Sequence, residues 1–269
     1  MVLHRKPVVV GHAANTLGRI RRYLSMNIPV IEMDVVESEG ELLLHHVHEG
    51  LVIRPRRFNE NPLHTLSAFR KLPLYLFPLR PPKLSEALEL VGNRADLMFD
   101  LKTKGIGRKV VELLRKTGFR RTAYFSSKYH RDIVRIKELM PEAKGLLSLE
   151  DQPVNVADYV REARADGISI KAVFIDKELV NELHRYGYII VVWTVNDVEV
   201  AKYVASLGAD MIVTDIPDVI MEELYRDEEG GEESEVREDH SYVIMGGLEH
   251  MFGYEVSHTV SRRRSALLS

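Results

Sequence analysis

Val30-Ile31-Glu32-Met33-Asp34-Val35 is an apolar run carrying two carboxylates two residues apart. Side chains alternate across a strand, so Glu32 and Asp34 share one face. The other residues are as apolar as expected of a parallel strand buried on both sides. Outward from this stretch, similar short runs recur at Val8–Gly11, Leu42–His46, Asp96–Leu101, Thr122–Phe125, Gly145–Leu149, Ile168–Val173, Ile189–Thr194 and Met211–Thr214. Segments of helical periodicity lie between them: Leu17–Met26, Leu84–Val91, Lys109–Thr117, Ile133–Leu139, Val156–Asp166, Glu178–Tyr186 and Val198–Leu207. Gly92, Gly118, Gly167, Gly187 and Gly208 stand where such helices are expected to stop.

Alternation of this kind over roughly 220 residues predicts either a closed (β/α)8 barrel or an open doubly wound sheet. Eight βα units result if Leu42–His46 is a hairpin extension of the second strand, turned at Gly40. The open sheet lacks its phosphate fingerprint: Gly105-Ile106-Gly107 has Val110 where the third glycine belongs. A TIM barrel is therefore the expected fold, with a flexible C-terminal tail.

Composition narrows the chemistry. The 269 residues are 45% hydrophobic and 29% charged, with no cysteine, which excludes thiolate nucleophiles, Cys-ligated zinc and disulfides. The net charge of −3 argues against a basic nucleic-acid binder. Residues 227–239 hold eight acids and one arginine and read as an acidic, disordered linker; residues 240–269 hold two acids and three arginines and form a tail. That leaves 1–226 at +3, a slightly basic barrel suited to an anionic substrate. The longest apolar stretches, such as Tyr188 to Trp193, are too short to cross a bilayer, and no signal core precedes the first strand. The expected location is cytoplasmic.

In a (β/α)8 barrel the reactive groups sit at the C-terminal strand ends. Those ends carry His12, then Glu32 and Asp34, then His45-His46, Asp100 with Lys102, Trp193-Thr194-Val195-Asn196, and Thr214-Asp215. Three converging carboxylates call for a divalent cation among them, and all-oxygen ligation suits Mg2+, Ca2+ or Mn2+. Two imidazoles supply an acid and a base, and a lysine adds charge for an anion. These parts suit the cleavage of a phosphate ester.

Gly11-His12…Asn15-Thr16-Leu17, Ile31-Glu32-Met33-Asp34-Val35, Leu44-His45-His46, Pro82-Lys83-Leu84-Ser85-Glu86, Asp100-Leu101-Lys102, Val192-Trp193-Thr194-Val195-Asn196 and Gly208…Thr214-Asp215-Ile216-Pro217-Asp218 occur in this order. Over residues 7 to 225 the chain resembles the glycerophosphodiester phosphodiesterases. The resemblance implies hydrolysis of small glycerophosphodiesters to a glycerol phosphate and an alcohol. It implies metal ligands Glu32, Asp34 and Asp100 (the last a glutamate in most of the family), acid and base His12 and His46, and substrate contacts Lys102 and Trp193. The arginine that usually follows the first histidine is replaced by Ala13. Arg54, Arg56 or Arg57 in the insertion 47–81 is expected to supply that charge. Counting from Gly40 favours His46 over His45 as the second histidine. Two other readings start from the same barrel. One is a phospholipase D-like lipid enzyme using Leu74–Phe77 as an apolar rim; the other is a non-catalytic phosphate-binding barrel.

Overall fold

The structure, a computed structural model, describes residues 6–46 and 81–226. The insertion with Arg54, Arg56, Arg57 and the Leu74–Phe77 rim, the acidic segment 227–239 and the tail 240–269 lie outside the described residues.

Buried apolar strands in register build the sheet. The first strand, β1 (Val8–Gly11), pairs in parallel with both β2 (Val30–Ser38) and β9 (Met211–Thr214), and this double pairing closes a barrel. Between them run β4 (Asp96–Leu101), β5 (Ala123–Ser127), β6 (Lys144–Leu149), β7 (Gly167–Lys171) and β8 (Ile189–Trp193), in the order β1-β9-β8-β7-β6-β5-β4-β2. The remaining strand, β3 (Glu41–Leu44), pairs antiparallel with the end of β2 as a hairpin turned at Glu39 and Gly40. The chain is thus a (β/α)8 TIM barrel with one hairpin extension.

The helices are α1 (Leu17–Ser25), α2 (Leu84–Val91), α3 (Gly107–Thr117), α4 (His130–Leu139), α5 (Val156–Glu162), α6 (Lys177–Arg185), α7 (Val198–Leu207) and α8 (Pro217–Tyr225). Side-chain caps start three of them: Thr16, Asp176 and Asp197 accept from the backbone N–H three residues on. The last helix went unmarked in the sequence, although Pro217 sits in its first turn, a favoured place for proline. Helix α5 stops earlier than expected, at Glu162. Gly167 is therefore not a helix stop but the first residue of β7, and a Cβ there would lie 1.9 Å from the carbonyl oxygen of Ile189.

The strand period sorts the interior into layers. Val10, Val30, Met98, Leu146, Val191 and Val213 pack together inside the barrel, with Trp193 against them. Two residues further along the same faces stand His12, Glu32, Asp100, Ser148, Trp193 and Asp215. The barrel floor is apolar and its mouth polar, so the layer that fills the barrel also supports the site. Outside, the larger core lies between sheet and helices, with Phe99 and Phe125 fully buried and their ring centroids 5.4 Å apart. Each such ring contributes roughly 1.5–3 kcal/mol by burial.

Candidate functional site

The ends of β1, β2, β4 and β9 bring the polar groups together. Glu32 and Asp34 are buried and Asp100 is partly so, and one oxygen of each lies within 4.8 Å of the others. Burial, reinforced by the charges of Asp34 and Asp100, pushes the Glu32 carboxyl well above the usual carboxylate range. Burial likewise raises Asp100. Asp34 goes the other way: burial opposes its charge, but hydrogen bonding to His46 and the Lys102 charge outweigh it and hold its pKa low.

Small polar contacts fix these carboxylates. The backbone N–H of Ala13 donates to Glu32 Oε2 at 2.6 Å. Asn15 brackets Asp34: its Nδ2 donates to Asp34 Oδ2 at 2.7 Å, and its Oδ1 accepts from the Asp34 backbone N–H at 3.0 Å. Both donors come from the loop between β1 and α1. The alanine that replaces the expected arginine therefore contributes its backbone to the site.

Lys102 continues the β4 ladder through its N–H to Val35 O and turns its Nζ onto Asp100 Oδ2 at 2.5 Å and Asp34 Oδ1 at 3.1 Å. Burial works against its charge, yet Asp100 and Asp34 raise its pKa. In this arrangement the ammonium offsets the charge of the two carboxylates that it meets.

The ring of His46 reaches Asp34 Oδ2 through Nδ1 at 2.9 Å. Its neighbour His45 meets Asp34 only through its backbone N–H, at 3.1 Å to Asp34 O. The hydrogen bond to Asp34 raises the pKa of His46, while burial lowers that of His45. On the opposite side, His12 Nδ1 meets Asp215 Oδ1 at 2.9 Å. Trp193 is the last residue of β8, with Lys171 Nζ 5.8 Å from its ring centroid. The peptide bond that follows it, Trp193–Thr194, is cis.

Sequence reasoning missed Arg19. It lies on α1, and its Nη2 donates to Asp215 Oδ1 at 3.1 Å. Its helical position gave no sign of a site role, because the contact depends on barrel closure. The cation expected near His12 was sought in Arg54, Arg56 and Arg57, which fall outside the described residues.

The donor set suits a hard divalent cation. Three carboxylates converge, one of them poorly able to hold its charge alone, and such cations take oxygen ligands. No helix among the described residues is long and apolar enough to cross a membrane.

A barrel with carboxylates, imidazoles and a lysine at its C-terminal mouth defines a class of phosphoric diester hydrolases. The Glycerophosphoryl diester phosphodiesterase family matches residues 54–219, and the chain belongs to that family. It is a hydrolase of glycerophosphodiesters. Asp100, Lys102 and Trp193 fall inside the matched stretch; His12, Glu32, Asp34 and His46 precede it.

A glycerophosphodiester phosphodiesterase of Bacillus altitudinis is 32% identical over 147 residues, covering 51% of this chain and 60% of the relative. One from Caldanaerobacter subterraneus subsp. tengcongensis is 24% identical, covering 80% of this chain and 97% of the relative. Among solved structures, an Oleispira antarctica phosphodiesterase in complex with the product sn-glycerol-3-phosphate shares the fold. Its TM-score is 0.65 at 20% identity, over 81% of this chain and 97% of that one. A Thermotoga maritima glycerophosphodiester phosphodiesterase gives 0.59 at 20%, over 81% and 99%.

Proposed function

We propose that hydrolysis uses a divalent cation, Mg2+, Ca2+ or Mn2+, held by Glu32, Asp34 and Asp100, with His12 and His46 moving the protons. The observation that carries this reading is the convergence of three carboxylate oxygens within 4.8 Å beside an imidazole bonded to one of them. When bound, such a cation supplies charge stabilisation at a phosphoryl oxygen.

The remaining work belongs to the side chains. Each histidine has its Nδ1 engaged by a carboxylate, which orients the ring, and proton transfer is assigned to the second ring nitrogen, Nε2. One accepts the proton of the attacking water, or of the adjacent glycerol hydroxyl, as the new P–O bond forms, and the other delivers a proton to the leaving alkoxide as the ester P–O bond breaks. After attack by the glycerol hydroxyl, water opens the cyclic phosphate with the two proton transfers reversed. Lys102 offsets carboxylate charge and would add positive charge for the phosphate of the substrate. Trp193 lines the organic side of the substrate, and Arg54 or Arg56 adds positive charge from the insertion. The product bound in the Oleispira antarctica structure supports a glycerol phosphate as the product here.

Turnover of glycerophosphocholine, followed by glycerol phosphate release before and after chelation, tests the proposal. Chelation should abolish turnover and one of the three cations restore it. His12→Ala and His46→Ala should each lower kcat on the order of 10²–10⁴-fold. Chelation-resistant turnover would overturn the cation, and near-wild-type kcat in either variant would remove that histidine.

A further inference from the structure

The Nδ1 of His12 is held by a network that the reaction as described does not use. Asp215, just past β9, receives His12 Nδ1 at 2.9 Å and Arg19 Nη2 at 3.1 Å on the same oxygen, Oδ1. Its other oxygen accepts from Asn196 Nδ2 at 2.8 Å. Asn196 is fixed in turn, because its Oδ1 accepts from the Asp215 backbone N–H at 2.8 Å and from Thr214 Oγ1 at 3.1 Å. The far end of Arg19 is also anchored: Nε donates to the Tyr23 hydroxyl at 3.0 Å, and that hydroxyl donates to the His12 carbonyl at 3.0 Å. Backbone and ring of His12 are thus both tied to one loop of contacts through α1 and the ends of β8 and β9.

We propose that Asp215, clamped by Arg19 and Asn196, is the positioning residue that fixes the tautomer and orientation of His12. An ionised carboxylate only accepts hydrogen bonds, so the bonded Nδ1 carries the hydrogen and Nε2 keeps its lone pair. The hydrogen bond from His12, joined by Asn196 and the Arg19 charge, holds the Asp215 carboxyl down to about 2, so it is ionised at neutral pH. A base oriented by a third group is a recurring arrangement in nucleophile activation. Arg19 has a second effect. It draws on the same oxygen as His12 and therefore limits how strongly Asp215 stabilises a protonated ring. Among the described residues, other charged or titratable groups around His12 include Glu32 of β2, which accepts from the neighbouring Ala13 N–H, Tyr23 from α1, Asp100 at the end of β4 and His46 after β3.

The proposal rests on the reading of His12 as a proton carrier, and the tests separate the two. Long-range proton–nitrogen NMR of the ring needs no turnover: wild-type His12 should show hydrogen on Nδ1, and Asp215→Ala should shift it toward the Nε2–H form that free imidazole favours. In kinetics, Asp215→Ala should lower kcat by about 10²-fold with KM little changed. The acidic limb of the kcat/KM profile should move to lower pH in Asp215→Asn, which removes a negative charge from His12. In Arg19→Gln, which removes a positive one, the limb should move to higher pH. A merely structural role would lower amplitude without opposite displacements. A wild-type ring protonated on Nε2, limbs that do not move, or wild-type kcat in Asp215→Ala would overturn the assignment. Wild-type kcat in His12→Ala would instead overturn the underlying histidine role.

Discussion

Replacing Lys102 with methionine tests the charge balance at the barrel mouth. The lysine Nζ lies 2.5 Å from Asp100 Oδ2 and 3.1 Å from Asp34 Oδ1, and its side chain is 24% exposed. Methionine keeps much of the stem and removes the ammonium, leaving three converging carboxylates without their cation. Breaking a fully buried pair by removing one partner costs about 3–5 kcal/mol. Partial exposure moves the expectation to the lower end, about 2–3 kcal/mol of folding stability in the cation-free protein. Binding of a divalent cation to the folded state alone opposes that loss, by about 2.7 kcal/mol at a hundredfold excess over Kd. The cation should stabilise the variant more than the wild type, because no ammonium competes for Asp34 and Asp100. Urea denaturation followed by circular dichroism, with chelator and then with saturating Mg2+ or Mn2+, measures both effects. A chelated variant within about 0.5 kcal/mol of wild type would refute the charge-balance reasoning, as would a larger cation-induced gain in the wild type.

Three further substitutions separate site chemistry from packing. Burial raises the folded-state pKa of Glu32 well above the ordinary 4.5 of a glutamate, so the folded state binds the extra proton and stability of the cation-free protein falls as pH rises above about 4.5. Glu32→Gln should therefore be more stable than wild type at pH 7 in chelator, by about 1 kcal/mol or more, with the gap closing on acidification; equal pH dependence of the two proteins would contradict this. Gly167→Ala would place a Cβ 1.9 Å from Ile189 O, backbone that can yield only by opening β7 from β8. A loss on the order of 3 kcal/mol or more is expected in denaturant titration. Gly40→Ala meets nothing within 4 Å and should cost only about 1–2 kcal/mol, for its φ of +84°.

The barrel was legible because its strands are buried on both faces and read as apolar runs, and because a carboxylate inside such a run stands out. Glu32, Asp34 and Asp100 were found in this way, and the alternation that put them on one face also places them above the apolar floor of Val30 and Met98. Side chains whose role depends on closure were harder to read. His12 and Asp215 are 203 positions apart in the chain, and they meet because β1 pairs with β9. Arg19 and Asp215, separated by 196 positions, meet for the same reason. On its helix Arg19 reads as one exposed cation among several, and no local spacing distinguishes it from Arg21 or Arg22. Gly167 was misread because a glycine between a helical pattern and a strand fits a helix stop equally well; only the approach of Ile189 shows why no side chain fits. The residues that perform chemistry carry a local signature, since a buried charge is costly wherever it sits. Asn196 and Asp215 were legible only as polar groups at strand ends, and the network that joins them to His12 became visible only once the sheet had closed.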